Sequence, residues 1–237
     1  MSETFQERLD AVNRRIEAAC ARSGRDPAGV KLIAVSKTHG PDSIREAAGC
    51  GLRIFGENKV QEAKAKIPLC SGSLSWHMVG HLQRNKVREA VQLFEMIHSI
   101  DSLKLLEAVD AACDEAGRNM PVLLEVNVSG ESSKFGMPPE SVPAALQSAS
   151  RLMHVSVVGL MTMQPFAEDV EKARPHFRRL RDLRDQWRAA TGVGLDELSM
   201  GMTHDFEVAI EEGATWVRVG TALFGERGES WRPVVSE

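Results

Sequence analysis

Apolar residues along this chain follow two rhythms. After Thr4, the residues Phe5, Leu9, Val12, Ile16 and Ala19 recur at helical spacing, with Thr4 and Glu7 placed as a capping box, which predicts an amphipathic helix at the start. Beyond it, short runs rich in β-branched and aliphatic residues alternate with helix-length segments. The strand-like runs lie at 30–36, 52–55, 75–79, 96–100, 122–128, 155–161, 197–200 and 216–219; the helical intervals lie at 41–49, 59–67, 82–94, 103–117, 139–152, 169–191 and 205–212. Eight strands joined by helical connections predict one (β/α)8 TIM barrel spanning 1–237 as a single domain, because parallel strands need long crossovers and these intervals supply them. A doubly wound sheet is the alternative, disfavoured by the count of eight and by the absence of a G-x-G-x-x-G turn after the first strand. No long Gly/Ser/Pro linker divides the chain.

Composition narrows the partners more than the fold. The 237 residues are 43% hydrophobic and 26% charged, the balance of an ordinary globular chain. With 33 acidic against 29 basic side chains the net charge is -4, so no positive field exists to hold a nucleic-acid backbone. No secretory leader and no membrane-length apolar run is visible, which predicts a cytoplasmic protein without membrane partners, expected as a monomer. Cys20, Cys50, Cys70 and Cys113 are widely spaced and read as free thiols of a reducing compartment. Six arginines crowd the 169–191 segment, but Asp182 and Asp185 interleave with them while Phe177, Leu180, Leu183 and Trp187 keep helical spacing, so it reads as a solvated outer helix.

The candidate chemistry gathers at strand ends. Lys37 closes the first strand-like run just before the stop at Gly40-Pro41, so an amine enters a loop there. In a (β/α)8 barrel ligands bind at the C-terminal ends of the strands, and the loops after strands seven and eight often hold phosphate. Here they read Ser199-Met200-Gly201-Met202-Thr203-His204-Asp205 and Arg218-Val219-Gly220-Thr221-Ala222-Leu223-Phe224-Gly225. Gly201, Gly220 and Gly225 taken singly are turn residues and Thr203 a helix N-cap; together on these two loops they predict an anion cradle, with a helix starting near Thr203. An amine opposite a phosphate cradle suits a ligand with an aldehyde at one end and a phosphate at the other. Pyridoxal 5′-phosphate has that shape. Lys37 would form an imine with its aldehyde once deprotonated, helped by partial burial and by cations such as Arg218.

The motifs Ser36-Lys37-Thr38, Phe55-Gly56-Glu57-Asn58 with Gln61-Glu62, Trp76-His77-Met78-Val79-Gly80 with Leu82-Gln83 and Asn85-Lys86, Ser133-Lys134 with Gly136, Ser199-Met200-Gly201-Met202 and Arg218-Val219-Gly220-Thr221 occur in this order over nearly the whole chain. Their combination closely resembles the pyridoxal phosphate homeostasis proteins. The resemblance implies one barrel, related to that of fold-type III pyridoxal phosphate enzymes, that binds the cofactor as an aldimine and has no established turnover. It implies Lys37 as the cofactor lysine, Asn58 beside the ring, the hydroxyls of Thr203 and Thr221 with the Gly220 backbone on the phosphate, and Arg218 at the pyridine nitrogen. Thr203 stands where serine is usual, and Lys59, where tyrosine is frequent, brings a competing amine near Asn58. A guanidinium at the pyridine nitrogen cannot accept the ring proton, so the ring should stay a poor electron sink.

Other side chains read more plainly. His77 and His81 are four apart but flank a strand end and turn, which argues against a metal pair. His39 and His204 are loop histidines within reach of the site. Glu57 and Glu125 lie near strand ends, with Lys or Arg as prospective partners.

Two classes of function fit: an intracellular carrier that buffers pyridoxal phosphate and hands it to apo-enzymes, or an amino-acid racemase or decarboxylase. A two-base racemase of this type uses a tyrosine opposite the lysine and a β-domain after the barrel; the chain contains no tyrosine and ends just past the eighth strand. The carrier is therefore expected. A cofactor-free barrel aldolase using Lys37 is a further alternative, marked by a colourless protein.

Overall fold

The computed structural model describes residues 3–131, 134–165, 167–225 and 231. Eight parallel strands close into a barrel in sequence order: β1 (Lys31–Val35), β2 (Ile54–Glu57), β3 (Ser75–Met78), β4 (Met96–Ile100), β5 (Met120–Glu125), β6 (Val155–Met161), β7 (Glu197–Met202) and β8 (Trp216–Val219). The seam is made by β1 on β8, with Lys31 opposite Trp216 and Ala34 opposite Val219. Helices α1 (Phe5–Ser23), α2 (Pro41–Gly49), α3 (Val60–Lys66), α4 (Val87–Leu93), α5 (Leu103–Ala116), α6 (Val142–Ala149), α7 (Arg174–Thr191), α8 (Phe206–Glu211) and α9 (Thr221–Phe224) form the outer layer.

Two apolar clusters follow from this closure. The larger lies between strands and helices and takes in the predicted face of α1, namely Phe5, Leu9, Val12, Ile16 and Ala19. The smaller fills the lumen with Ile33, Val35, Val79, Met96, Leu123, Met161 and Trp216. α1 starts with the expected reciprocal cap of Thr4 and Glu7, ends at Gly24 in the left-handed region, and packs against α8 and α9 over the seam.

The helix carrying the arginines behaves as a solvated outer helix. Arg174, Arg178 and Arg181 converge on Glu212, while Phe177, Leu180 and Trp187 face inward.

Several boundaries differ from the sequence expectation for local reasons. β2 runs to Glu57 rather than stopping at Phe55, because Gly56 is tolerated in a strand whose inner face would drive a Cβ into Ile33 at 2.8 Å. β5 begins at Met120 and stops at Glu125; beyond it Val126 forms an isolated bridge with Met137. Helix α8 begins at Phe206 with Asp205 at its cap, not near Thr203, because the Asp205 carboxylate accepts from the Met202 amide at 2.7 Å and holds a turn across 202–205. The short α9 was invisible to periodicity: four residues are one turn.

Candidate cofactor site

The C-terminal mouth of the barrel holds a cavity of about 330 Å³. It is lined by Lys37, Asn58, Thr203, Arg218, Gly220 and Thr221, together with Val35, His39, Val79, Met163, Met202, His204 and Gly225. All six residues expected from the sequence therefore meet in one place, from the ends of four strands, β1, β2, β7 and β8. Lys59 does not line it; that side chain lines a neighbouring depression with Lys86, His81 and Phe135.

Lys37 sits on a clamped backbone. Before it, the Ser36 carbonyl accepts from the ammonium of Lys66 at 2.9 Å and the Ser36 hydroxyl donates to Glu57 at 2.6 Å. After it, the Thr38 amide donates to Glu62 at 2.6 Å, and Thr38 adopts φ 70, a left-handed conformation that costs a β-branched residue energy and needs support. Lys66 ties these together by also donating to Glu57 at 2.7 Å and Glu62 at 2.8 Å. Lys66 and Glu57 are both fully buried, and burial pushes the Glu57 carboxyl up while the Lys66 charge opposes the shift.

Asn58 is positioned by close backbone packing. A Cβ on Gly80 would lie 2.4 Å from the Asn58 carbonyl oxygen, so only glycine lets the loop after β3 pass there. On the opposite side the Thr203 hydroxyl accepts from the Gly220 amide at 3.3 Å and the Ala222 amide at 3.5 Å, tying the loop after β7 to the start of α9. Gly201, at φ 88, turns the first of these loops. Arg15 of α1 grips Glu207 with two N–H groups and donates a third bond to the Thr203 carbonyl, so the outer helix braces this wall.

Arg218 is almost wholly buried on β8. Its Nη1 donates to the Ser199 hydroxyl at 2.8 Å and its Nη2 to the Thr162 carbonyl at 2.9 Å, which fixes the plane of the guanidinium. Burial lowers its pKa to about 10, against the pull of Asp205 and Glu125, so it stays cationic at neutral pH. Glu125 feels the converse: burial first, then the Asp101 charge, raises its carboxyl to about 7, with Arg218 opposing. Burial likewise raises Asp205.

The other candidates separate. His77 points into the lumen, whereas His81 stacks on Phe135 at 3.9 Å and pairs with Asp101, so the two do not converge. Among the described residues no cluster of histidine, cysteine, aspartate or glutamate has metal-binding geometry. His39 stacks on Phe224 beside the cavity, and the His204 ring approaches the Glu168 carbonyl at 3.4 Å. Of the resemblance motifs, Ser133 lies outside the described residues, as does the tail after Trp231. Among the described residues no helix is long and apolar enough to cross a membrane.

The family model for the alanine racemase N-terminal domain matches residues 8–228. The pyridoxal phosphate homeostasis protein of Aquifex aeolicus is 46% identical over 222 residues, covering 93% of this chain and 97% of that protein. The chain belongs to the pyridoxal phosphate homeostasis protein family. The human member of that family is 39% identical, covering 95% of this chain and 87% of its own. Among solved structures, PipY of Synechococcus elongatus with pyridoxal phosphate bound superposes with TM-score 0.81 at 40% identity, covering 89% of this chain and 100% of that one. Alanine racemase of Clostridium difficile shares the barrel at TM-score 0.74 but only 13% identity, a likeness of fold alone.

The lining fits such a ligand chemically. It offers an amine, a cationic N–H donor set, an amide and two hydroxyls within a volume typical of small-ligand sites, roughly 300–1,000 Å³.

Proposed function

We propose that this chain binds pyridoxal 5′-phosphate in the mouth cavity, with Lys37 as its reversible covalent anchor, and serves as an intracellular, cytoplasmic carrier and buffer of that cofactor without turnover of its own. The observation that carries this reading is the convergence of Lys37, Asn58, Thr203, Arg218, Gly220 and Thr221 on one cavity in a member of this family. Lys37 supplies the amine, on a backbone held by Glu57, Glu62 and Lys66. Thr203 and Thr221 with the Gly220 amide take the phosphate, where hydroxyls and an amide answer its charge. Asn58 flanks the ring and Arg218 donates to its nitrogen.

When bound, the group supplies an electrophilic aldehyde and a ring that can delocalise negative charge. Arg218 limits the second property, since a guanidinium donates and cannot pass a proton to the ring. Among the described residues the cavity lining contains no carboxylate to replace it. A holder that releases its ligand intact is the use these groups support. One observation favours a second reading, a racemase or related enzyme: His39 and His204 line the same cavity as Lys37 and can carry protons.

The test loads the protein with pyridoxal phosphate and mixes it with an apo-enzyme that requires the cofactor, with Lys37→Ala as control. Recovery of apo-enzyme activity, with no turnover of common amino acids above the free-cofactor rate, is expected. Borohydride should fix the cofactor to Lys37; an adduct on Lys59 would overturn the anchor. Robust conversion of one amino acid, abolished in Lys37→Ala, would replace the carrier by the enzyme.

A further inference from the structure

We infer that His98 and His77 are positioning residues for Arg218, acting through Ser199 as one directed hydrogen-bond chain across the barrel lumen; the inference rests on Arg218 being the ring-side donor of the proposed site. The chain is continuous. Arg218 Nη1 meets Ser199 Oγ at 2.8 Å, Ser199 Oγ meets His98 Nδ1 at 2.9 Å, and His98 Nε2 meets His77 Nδ1 at 3.0 Å. His77 Nε2 then meets Ser75 Oγ at 3.2 Å, and Ser75 Oγ meets the carboxylate of Glu95 at 2.6 Å. Six residues are linked, on β8, β7, β4, twice on β3 and just before β4, from the cofactor mouth to the opposite end.

Its two ends dictate its direction. A guanidinium only donates and a carboxylate only accepts. Ser199 therefore accepts from Arg218 and gives its single proton to His98 Nδ1. At the far end Ser75 gives its single proton to Glu95 and accepts from His77 Nε2. Both imidazoles are left with Nδ1 as acceptor and Nε2–H as donor, and the two derivations agree at the His98–His77 link. A protonated Nδ1 on one ring alone would set two donors or two acceptors against each other at the buried His98–His77 link, and reversing both rings would leave the Ser199 proton without its acceptor and set Ser75 against the Glu95 carboxylate at the exposed end.

Neutral rings are what this needs, and the surroundings supply them. Burial, then Lys31, lowers His77 to about 4; burial, then His77 and Arg218, drives His98 well below the ordinary imidazole range. Trp216 packs on both rings, with centroids at 5.1 and 5.7 Å, and Lys31 caps Trp216 beside Glu197. With its proton committed to His98, Ser199 Oγ has a fixed lone pair toward Arg218, and the aligned donors polarise one another. The guanidinium is thus held before any ligand arrives.

The test begins with nitrogen-15 NMR of the ligand-free protein. Both His77 and His98 should show unprotonated Nδ1 and protonated Nε2, and the Arg218 Nη signals should be separate and slowly exchanging. Ser199→Ala and His98→Leu should collapse the Arg218 signals, while His98→Gln, whose amide can accept from Ser199 and donate to His77, should keep them. In the loaded protein the first two variants should shift the visible absorption band and weaken cofactor retention by about two- to tenfold. A protonated Nδ1 on His98, or unchanged Arg218 signals in both disruptive variants, would overturn the inference. If the unmutated protein binds no pyridoxal phosphate, the proposed function fails instead, and the tautomers and Arg218 signals still decide the chain. Should His98→Leu not fold, the tautomers of the unmutated protein and Ser199→Ala carry the test.

Discussion

At the scale of single residues, the phosphate side of the site is the most directly testable. In the proposed site the hydroxyls of Thr203 and Thr221 would each replace water on a charged oxygen, so Thr203→Ala and Thr221→Ala should each weaken retention by about 1.5–3 kcal/mol. Pyridoxal without its phosphate should bind poorly in a parallel titration; equal affinity for both forms would remove the cradle. Glu125 gives a prediction in pH. Its folded pKa of about 7 lies above the ordinary 4.5, so the folded state binds the extra proton, and its contribution to stability is fully present below 4.5 and lost as pH rises to about 7. Glu125→Gln removes this loss, so its free energy of unfolding, measured by chemical denaturation, should gain on that of the unmutated apo-protein between pH 5 and pH 8 by a difference on the order of 3 kcal/mol. A constant gap across that range would show that Glu125 titrates normally. Lys37 and the loops of Thr203, Gly220 and Thr221 were legible from chemistry placed at strand ends, whereas Asn58 and the ring-side place of Arg218 came from the family resemblance; all six line one cavity. Ser199 and His98 were not legible, since a serine and a histidine inside apolar runs carry no spacing signal, and only closure of the barrel brings β4 to face β7.

Between strand and loop, α3 is the element that turns a lysine into a site. Glu62 and Lys66 lie one helical turn apart; α3 buries Lys66 completely and aims Glu62 at the Thr38 amide. Removing one partner of such a set leaves a buried charge, so Lys66→Met should cost about 3–5 kcal/mol in chemical denaturation. Glu62→Gln should act differently, loosening the left-handed Thr38 turn and slowing Lys37 capture while leaving the unfolding midpoint nearly unchanged. An equal loss of stability in both variants would mean that the cluster only packs the helix. The expected helix near Thr203 illustrates the limit of capping logic. A threonine before an apolar run signals a cap, yet Asp205 takes that role, and the Thr203 hydroxyl is freed to tie two loops together.

For the molecule as a whole, a ligand that binds only the folded barrel adds stability by mass action. Free pyridoxal phosphate a thousandfold above its dissociation constant should add about 4 kcal/mol, a rise in melting temperature on the order of 10 °C for a chain of this size. Scanning calorimetry with and without the cofactor measures it, with Lys37→Ala reducing the shift. The alternation of strands and helices made the barrel readable in sequence, since seven crossovers between eight strands leave few other topologies, whereas the pairing of β1 with β8 is a product of closure that no local pattern announces. That seam has a consequence in time. Lys37 follows the first strand and Gly220 and Thr221 follow the last, so the amine and the anion cradle are separated by nearly the whole described chain. On the ribosome the lysine emerges well before the loops that follow β7 and β8, and pairings so distant in sequence form late and slowly. A nascent or half-folded chain therefore offers the aldehyde only a bare amine, and tight capture of the vitamin becomes the signature of a finished barrel.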